Sequence, residues 1–209
     1  GSGLVFPVSE EDIMIDPIKL EDHWPRIAAI DFGWDHPTAM VWCAVDNESE
    51  TFYIYDCYRA SKASPTVHAQ NIRMRPHFIP IAYPHDGNRR DSMGNPGLAD
   101  QYRNLGCNFM LEHFTNPPAL GSNKGSNSIE EGLMAMLQKI EAKKFKVFNT
   151  LGDWFEEFRM YHRKDGKVVP LRDDLLSATR YAFQSQRFAV AGEDPSWTAG
   201  VEYRNYGII

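Results

Sequence analysis

The chain is poor in what most alternative assignments need. In 209 residues there are three cysteines, Cys43, Cys57 and Cys107, and none has the CxxC or Cys/His spacing of a zinc site. They read as small core residues of a protein kept in a reducing compartment. No apolar run approaches the ~20 residues of a membrane span, and no signal peptide is visible. Neither G-x-G-x-x-G nor G-x-x-x-x-G-K-[ST] occurs, so a doubly wound nucleotide-binding fold lacks its phosphate loop. Positive charge is not in excess either: the net charge is −6, which argues against non-specific coating of nucleic acid but leaves room for a local basic groove beside an acidic site.

What is present suits one compact domain: 43% hydrophobic and 24% charged residues supply a sizeable core. Gly1-Ser2-Gly3 reads as the remnant of a tag. Residues 4–24 are weakly patterned, and 1–25 as a whole is expected to be a remnant plus a lead-in or linker that packs partly on the domain. The acidic Ser9-Glu10-Glu11-Asp12 is expected to form a solvated face. The domain proper is placed at 26–188, with an irregular tail at 189–209.

Regular patterning begins at Arg26. Strands are expected at about 26–32, 38–46 and 51–58, separated by short polar or Gly/Pro turns, and together they make an antiparallel meander. Helices follow at 66–74, 98–105 (stopped by Gly106), 128–142, 153–160 and 173–184. Between them lie short strands at 78–83, 108–111 and 145–148. Residues 161–170 read as a hairpin with Lys164-Asp165-Gly166-Lys167 at its tip. The loop 116–127 reads as mobile. Asp153, Glu156 and Glu157 are expected on a solvated helix face. A meander followed by helix–strand crossovers predicts an α/β, ribonuclease H-like mixed sheet with helices on both faces.

Carboxylates carry the chemistry. Asp31 ends the first strand, Asp86 follows the fourth, and Asp173-Asp174 opens the last helix. A charge at the end of a buried strand is costly unless it is paired or binds a metal. A structural ion pair is the bland alternative for Asp31. Steps of three and four residues from Asp174 reach Ala178, Tyr181 and Ala182, on the rim of the apolar face. From Asp173 they reach Leu176, Ser177, Arg180 and Gln184, mostly a wet face. Asp174 is therefore the favoured inward ligand, with Asp173 the fallback. Converging carboxylates repel unless a cation lies between them, and hard ions such as Mg²⁺ or Mn²⁺ take such oxygens, two of them serving phosphodiester hydrolysis. Asp35, His36 and His85 are candidate supporting groups, each with a hydrogen-bonded loop residue as its plainer reading. Arg89-Arg90, Lys143-Lys144 with Lys146, and Lys164 and Lys167 beside Arg163 are candidate phosphate contacts.

IAAIDFGWDHPTA (27–39), IAYPHDG (81–87) and LRDDLLSATRYAF (171–183), at these separations, resemble the C-terminal nuclease domain of the large terminase subunit of tailed, headful-packaging bacteriophages. The resemblance covers about 26–188. It implies a ribonuclease H-like fold and a metal-dependent endonuclease that cuts concatemeric viral DNA when packaging starts and ends. The acidic triad maps onto Asp31, Asp86 and Asp174. One departure is that relatives often carry an aspartate where Ser177 stands. The resemblance further implies an N-terminal ATPase motor domain absent here, a small terminase subunit, and work in the host cytoplasm during virion assembly. It places a portal-docking tail at Ser196 to Ile209. A Holliday-junction resolvase, or a non-catalytic docking domain, are the rival readings.

Overall fold

The structure, a computed structural model, describes residues 3–88 and 93–192. In chain order the strands are β1 (Gly3–Leu4), β2 (Met14–Ile15), β3 (Arg26–Asp31), β4 (Thr38–Asp46), β5 (Thr51–Ala60), β6 (Ile81–Ala82), β7 (Phe145–Phe148), β8 (His162–Lys164) and β9 (Lys167–Val168). The helices are α1 (Pro65–Ile72), α2 (Leu98–Asn104), α3 (Ile129–Glu141), α4 (Gly152–Met160) and α5 (Asp174–Gln184). Six strands form one sheet in the order β2-β7-β5-β4-β3-β6, while β1, β8 and β9 form a second, small sheet. β3, β4 and β5 are antiparallel neighbours; β6 pairs parallel with β3, and β7 parallel with β5.

Alternation along the strands makes the sheet two-faced. Ile27, Ala29, Val41 and Cys43 face one core, filled by α3, α4 and α5 through Leu133, Met136, Trp154, Phe155, Leu175 and Phe183. Ala28, Ile30, Met40 and Trp42 face the other, filled by α1 and α2 through Ala69, Ile72, Ala99 and Tyr102. Helices on both faces therefore follow from a period of two in two apolar strands. The turn chemistry also acts as expected: Gly106 stops α2 at φ +87, and Asp165 and Gly166 both take positive φ at the hairpin tip, as a type I′ turn requires.

Several expectations change. The lead-in is part of the fold: β2 adds to the sheet beside β7, and β1, starting at Gly3, pairs with β8. Val5, Phe6 and Ile13 are buried there, and such apolar burial is what fixes a segment with little periodicity of its own. The acidic run at 9–12 is not merely solvated, since Glu10 bridges to Arg159 and Asp12 to Lys143. The strand expected at 78–83 is only Ile81–Ala82, and that at 108–111 reduces to a single bridge from Phe109 to Ile81. Prolines at 80 and 84 bracket the first and remove ladder donors. The loop 116–127 is anchored at its base: buried Asn116 donates to Ser126 Oγ and Ser128 O and accepts from Gln184. Its tip, with Leu120, is fully exposed. Among the described residues no helix is long and apolar enough to cross a membrane.

The largest departure is α5, whose residues are all buried except Ser177. The face read as wet is covered by α3 and α4, which pack on either side of it. One contact locks that packing: Trp154 Nε1 donates to Thr179 Oγ1 at 2.9 Å, and the hydroxyl donates onward to Leu175 O. Thr179→Val keeps the shape but strands a buried indole N–H, so it is expected to cost about 2 kcal/mol, measured by urea unfolding.

Candidate active site

The three motifs meet at one edge of the large sheet. Asp31 is the last residue of β3, opposite Ala39, and the β6 strand beside it leads through Pro84 into the 3-10 turn His85–Asn88. The α5 N-terminus packs on the same edge. Two glycines permit the approach. A Cβ on Gly33 would lie 2.3 Å from His36 O, and one on Gly87 2.8 Å from the Tyr83 ring and 3.0 Å from the Phe32 ring. Thr38 closes the first turn, its hydroxyl accepting from Gly33 N at 3.0 Å and donating to Gly33 O at 2.9 Å. That turn delivers His36, whose Nδ1 lies 3.0 Å from Asp174 Oδ1.

Asp174 is buried, Asp31 and Asp173 are half-buried, and Asp86 is exposed. Tyr181, two turns along α5 from Asp174, donates its hydroxyl to Asp31 Oδ1 at 3.2 Å. Burial raises the Asp31 carboxyl from 3.8 to about 7; the Tyr181 hydroxyl pulls it back, while Asp174, Asp173 and Asp86 push it further up. Asp173 is raised as well, first by burial and then by Asp174. Asp31 and Asp173 thus both feel carboxylates brought to them from elsewhere in the site. Asp31 and Asp86 line an open cleft of about 310 Å³ together with His85, Phe114, Asn127, Ile129, Arg180 and Tyr181.

Among the described residues no three His, Cys, Asp or Glu side chains stand close enough together to hold a metal ion. The donor set is nonetheless all carboxylate oxygen, which suits a hard divalent cation. Burial, and after it the neighbouring carboxylates, disfavours the charged form of Asp31, and a bound cation relieves both. The residues fit in chemistry, with the carboxylates having to close on the ion.

The other sequence candidates are distributed unevenly. Asp35 and His85 are exposed beside the carboxylates. Arg163 pairs with Glu130, next to the cleft residue Ile129, so the hairpin bearing exposed Lys164 and Lys167 stands beside the cleft. Lys143, Lys144 and Lys146 are elsewhere. They lead into or lie on β7 where it pairs with Phe52 and Tyr53, at the Arg26 end of the sheet. That is about 20 Å along the strands from Asp31. Lys143 there bridges to Asp12, and Lys146 donates to Asp12 O. Arg89 and Arg90 lie outside the described residues, as does the tail from Ser196 to Ile209.

Glu157 was expected in solvent and is fully buried. Its Oε1 accepts from the backbone N–H of Leu175 (2.7 Å) and Leu176 (3.3 Å), while Oε2 accepts from Arg59 at 2.9 Å. The first-turn amides of α5 are thereby capped from α4, because the N-cap residue Asp173 makes no capping bond with its own side chain. Burial pushes the Glu157 carboxyl up to about 7, against the downward pull of Arg59 and of the two amides. Arg59 also bridges Asp153 and Glu156, and it pairs across β4 with Ala39, the strand partner of Asp31. One ion pair, its carboxylate buried and its guanidinium half-buried, therefore ties the helix carrying Asp174 to β5, two strands from Asp31. The acidic sequence around Glu157 gave no sign of this, since the signal lies in a contact 18 residues away.

The family described as "Terminase RNaseH-like domain" matches residues 28–186. The large terminase subunit of Salmonella phage P22 is 37% identical over 190 residues, covering 90% of this chain. This chain spans 37% of the length of that relative. The solved structure of the P22 large terminase nuclease domain superposes with a TM-score of 0.82 at 36% identity, covering 91% of this chain and 96% of that one. The nuclease domain of the large terminase of bacteriophage SPP1, solved with bound Mn, shares the fold at a TM-score of 0.55 and 17% identity, covering 83% of this chain and 95% of that one.

Two outcomes are expected. Glu157→Ala leaves two amides uncapped and removes the buried partner of the half-buried Arg59 guanidinium, which keeps Asp153 and Glu156, a loss of about 2 kcal/mol by urea unfolding. Asp31, raised when folded, binds its proton more readily folded than unfolded. Its favourable contribution is therefore present below about pH 4 and lost as pH rises through about 7. Asp31→Asn should accordingly stabilise the metal-free protein more at pH 8 than at pH 5. The difference should grow by at most about 1.4 kcal/mol per pH unit, followed by urea unfolding in EDTA.

Proposed function

The chain belongs to the terminase RNase H-like domain family, and from that premise we propose that it is a metal-dependent endonuclease hydrolysing phosphodiester bonds of duplex DNA. The observation that carries the reading is the crowding of Asp31 by Asp174, Asp173 and Asp86 at one sheet edge. Asp31, Asp86 and Asp174 would hold Mg²⁺ or Mn²⁺, two ions in all, with Asp173 the alternative to Asp174. When bound, such ions supply an activated water and stabilise the leaving oxygen. The solved SPP1 domain with bound Mn supports this class of ion.

The side chains of this chain do the positioning. Tyr181 holds one oxygen of Asp31 and His36 one oxygen of Asp174, which leaves the other oxygen of each for a cation. Asp86, exposed on its 3-10 turn, can close toward the pair without disturbing the core. His85 and Asp35 border the carboxylates as outer polar groups, and Lys164 and Lys167 offer phosphate contacts on the neighbouring hairpin. Arg89 and Arg90 lie three and four residues after Asp86 in sequence and are proposed for the same task. The biological substrate is concatemeric phage DNA, cut at the start and end of packaging in the host cytoplasm. In the longer parent protein an ATPase motor domain precedes this region, the small terminase subunit assists, and the tail at 196–209 docks on the portal.

Supercoiled plasmid is expected to be nicked and linearised in Mn²⁺ or Mg²⁺ and left intact in EDTA. Asp31→Asn, Asp86→Asn and Asp174→Asn should each lower the rate about a hundredfold or more, with circular dichroism unchanged. Asp173→Asn should retain most of the rate. A folded wild type that cuts with no divalent ion, or mutants that cut like wild type, would move the non-catalytic docking reading ahead. Preference for four-way junctions over plasmid would favour a resolvase.

A further inference from the structure

Among the described residues that line the cleft, Arg180 is a buried cation that the positioning scheme does not use. It is 6% exposed and lines the cleft with Asp31 and Asp86. Among the described residues its Nε and Nη1 hydrogen-bond nothing. A desolvated guanidinium with idle donors is costly, so its retention needs a reason.

The surroundings hold the group rigidly. Its Cζ lies 4.9 Å from the Tyr181 ring centroid and 5.7 Å from that of Phe114. Its aliphatic stem passes over Gly132 of α3, where a Cβ would come within 2.8 Å of Cγ and 2.9 Å of Cδ. Tyr181, which flanks the guanidinium, also donates to Asp31. A single aromatic ring thus sets the spacing between an anionic ligand and a cation, on the wall of one cleft. A DNA backbone approaching four carboxylates is repelled, and a fixed cation there offsets the repulsion locally. A guanidinium suits phosphate better than an ammonium, because its planar fork meets two oxygens at once.

We propose that Arg180 is the phosphate-binding residue of the cleft, its guanidinium taking the non-bridging oxygens of a DNA phosphodiester beside Asp31 and Asp86. The proposal rests on the nuclease reading and names how that site engages its substrate. A purely structural Arg180, placed only to temper the carboxylates, would affect folding and metal requirement but not the count of phosphates neutralised.

The test is binding of a 30-base-pair duplex by fluorescence anisotropy between 50 and 200 mM NaCl, in the uncleaving Asp31→Asn background. Plasmid cleavage is followed in the otherwise wild-type chain. Arg180→Gln is expected to reduce the slope of log affinity against log salt by about 0.9, the share of one phosphate contact, and to lower the cleavage rate about a hundredfold. Arg180→Lys is expected to keep the slope yet cleave at least about tenfold more slowly, for want of the fork. An Arg180→Gln protein that folds and keeps both affinity and slope overturns the proposal. Should the Gln variant not fold, a folded Lys variant cleaving at the wild-type rate overturns it equally. A chain that binds duplex without cutting it refutes the nuclease reading and leaves the slope to decide Arg180. A chain that does not bind duplex refutes both.

Discussion

Like charges gathered in one place must be compensated, and that constraint organises this molecule. Asp31 and Asp173 are raised first by burial and then by the neighbouring carboxylates, so the fold has to hold these groups together against their own repulsion. It does so with elements that cannot yield. β3 is flanked by β4 and β6 and sandwiched between two cores, and α5 is buried almost all round. A sheet edge alone would let its carboxylates splay apart. Asp31 and Asp174 are instead pinned between sheet and helices, while Asp86 stays exposed on its turn, and the cost of burying charge there is carried by the rest of the fold.

The brace beneath the site shows how the cost is spread. Glu157 turns one carboxylate oxygen toward the first amides of α5 and the other toward Arg59. A negative group at a helix N-terminus is favourable, but Asp174 occupies that terminus with its side chain directed to His36 rather than to the amides. Capping from α4 releases both aspartates of the pair from a structural duty that Asp and Asn residues usually perform at this position. Separating cap from ligand lets one helix end serve stability and chemistry at once.

What could be read from the sequence divides along physical lines. Period-two runs in 26–46 and turn signals such as Asp165-Gly166 act locally, so strands, hairpin and two-faced sheet were legible. The carboxylates that end strands were legible for the same reason, and the wheel of the last helix did pick Asp174 as the buried member of its pair. Features decided by long-range packing were not. Residues 4–24 have little pattern because their partners, β7 and β8, come more than a hundred residues later. Glu157 looks like a surface glutamate until Leu175 and Arg59 are brought to it. Lys143 and Lys144 look like groove residues until strand register carries them to the far end of the sheet.

The wheel misread the opposite side of α5 for an instructive reason. Arg180 and Gln184 carry polar heads, and polarity on a helix usually marks solvent. Here α3 closes over that face, with glycine at 132 to admit the Arg180 stem and Asn116 to take the Gln184 amide. Gln184 finds its partner inside the protein. Arg180, beside the carboxylates, finds none among the described residues for Nε and Nη1. In a helix where burial is otherwise matched by contacts, the polar group left unmatched is the one that lines the cleft, and that is where a ligand completes the structure.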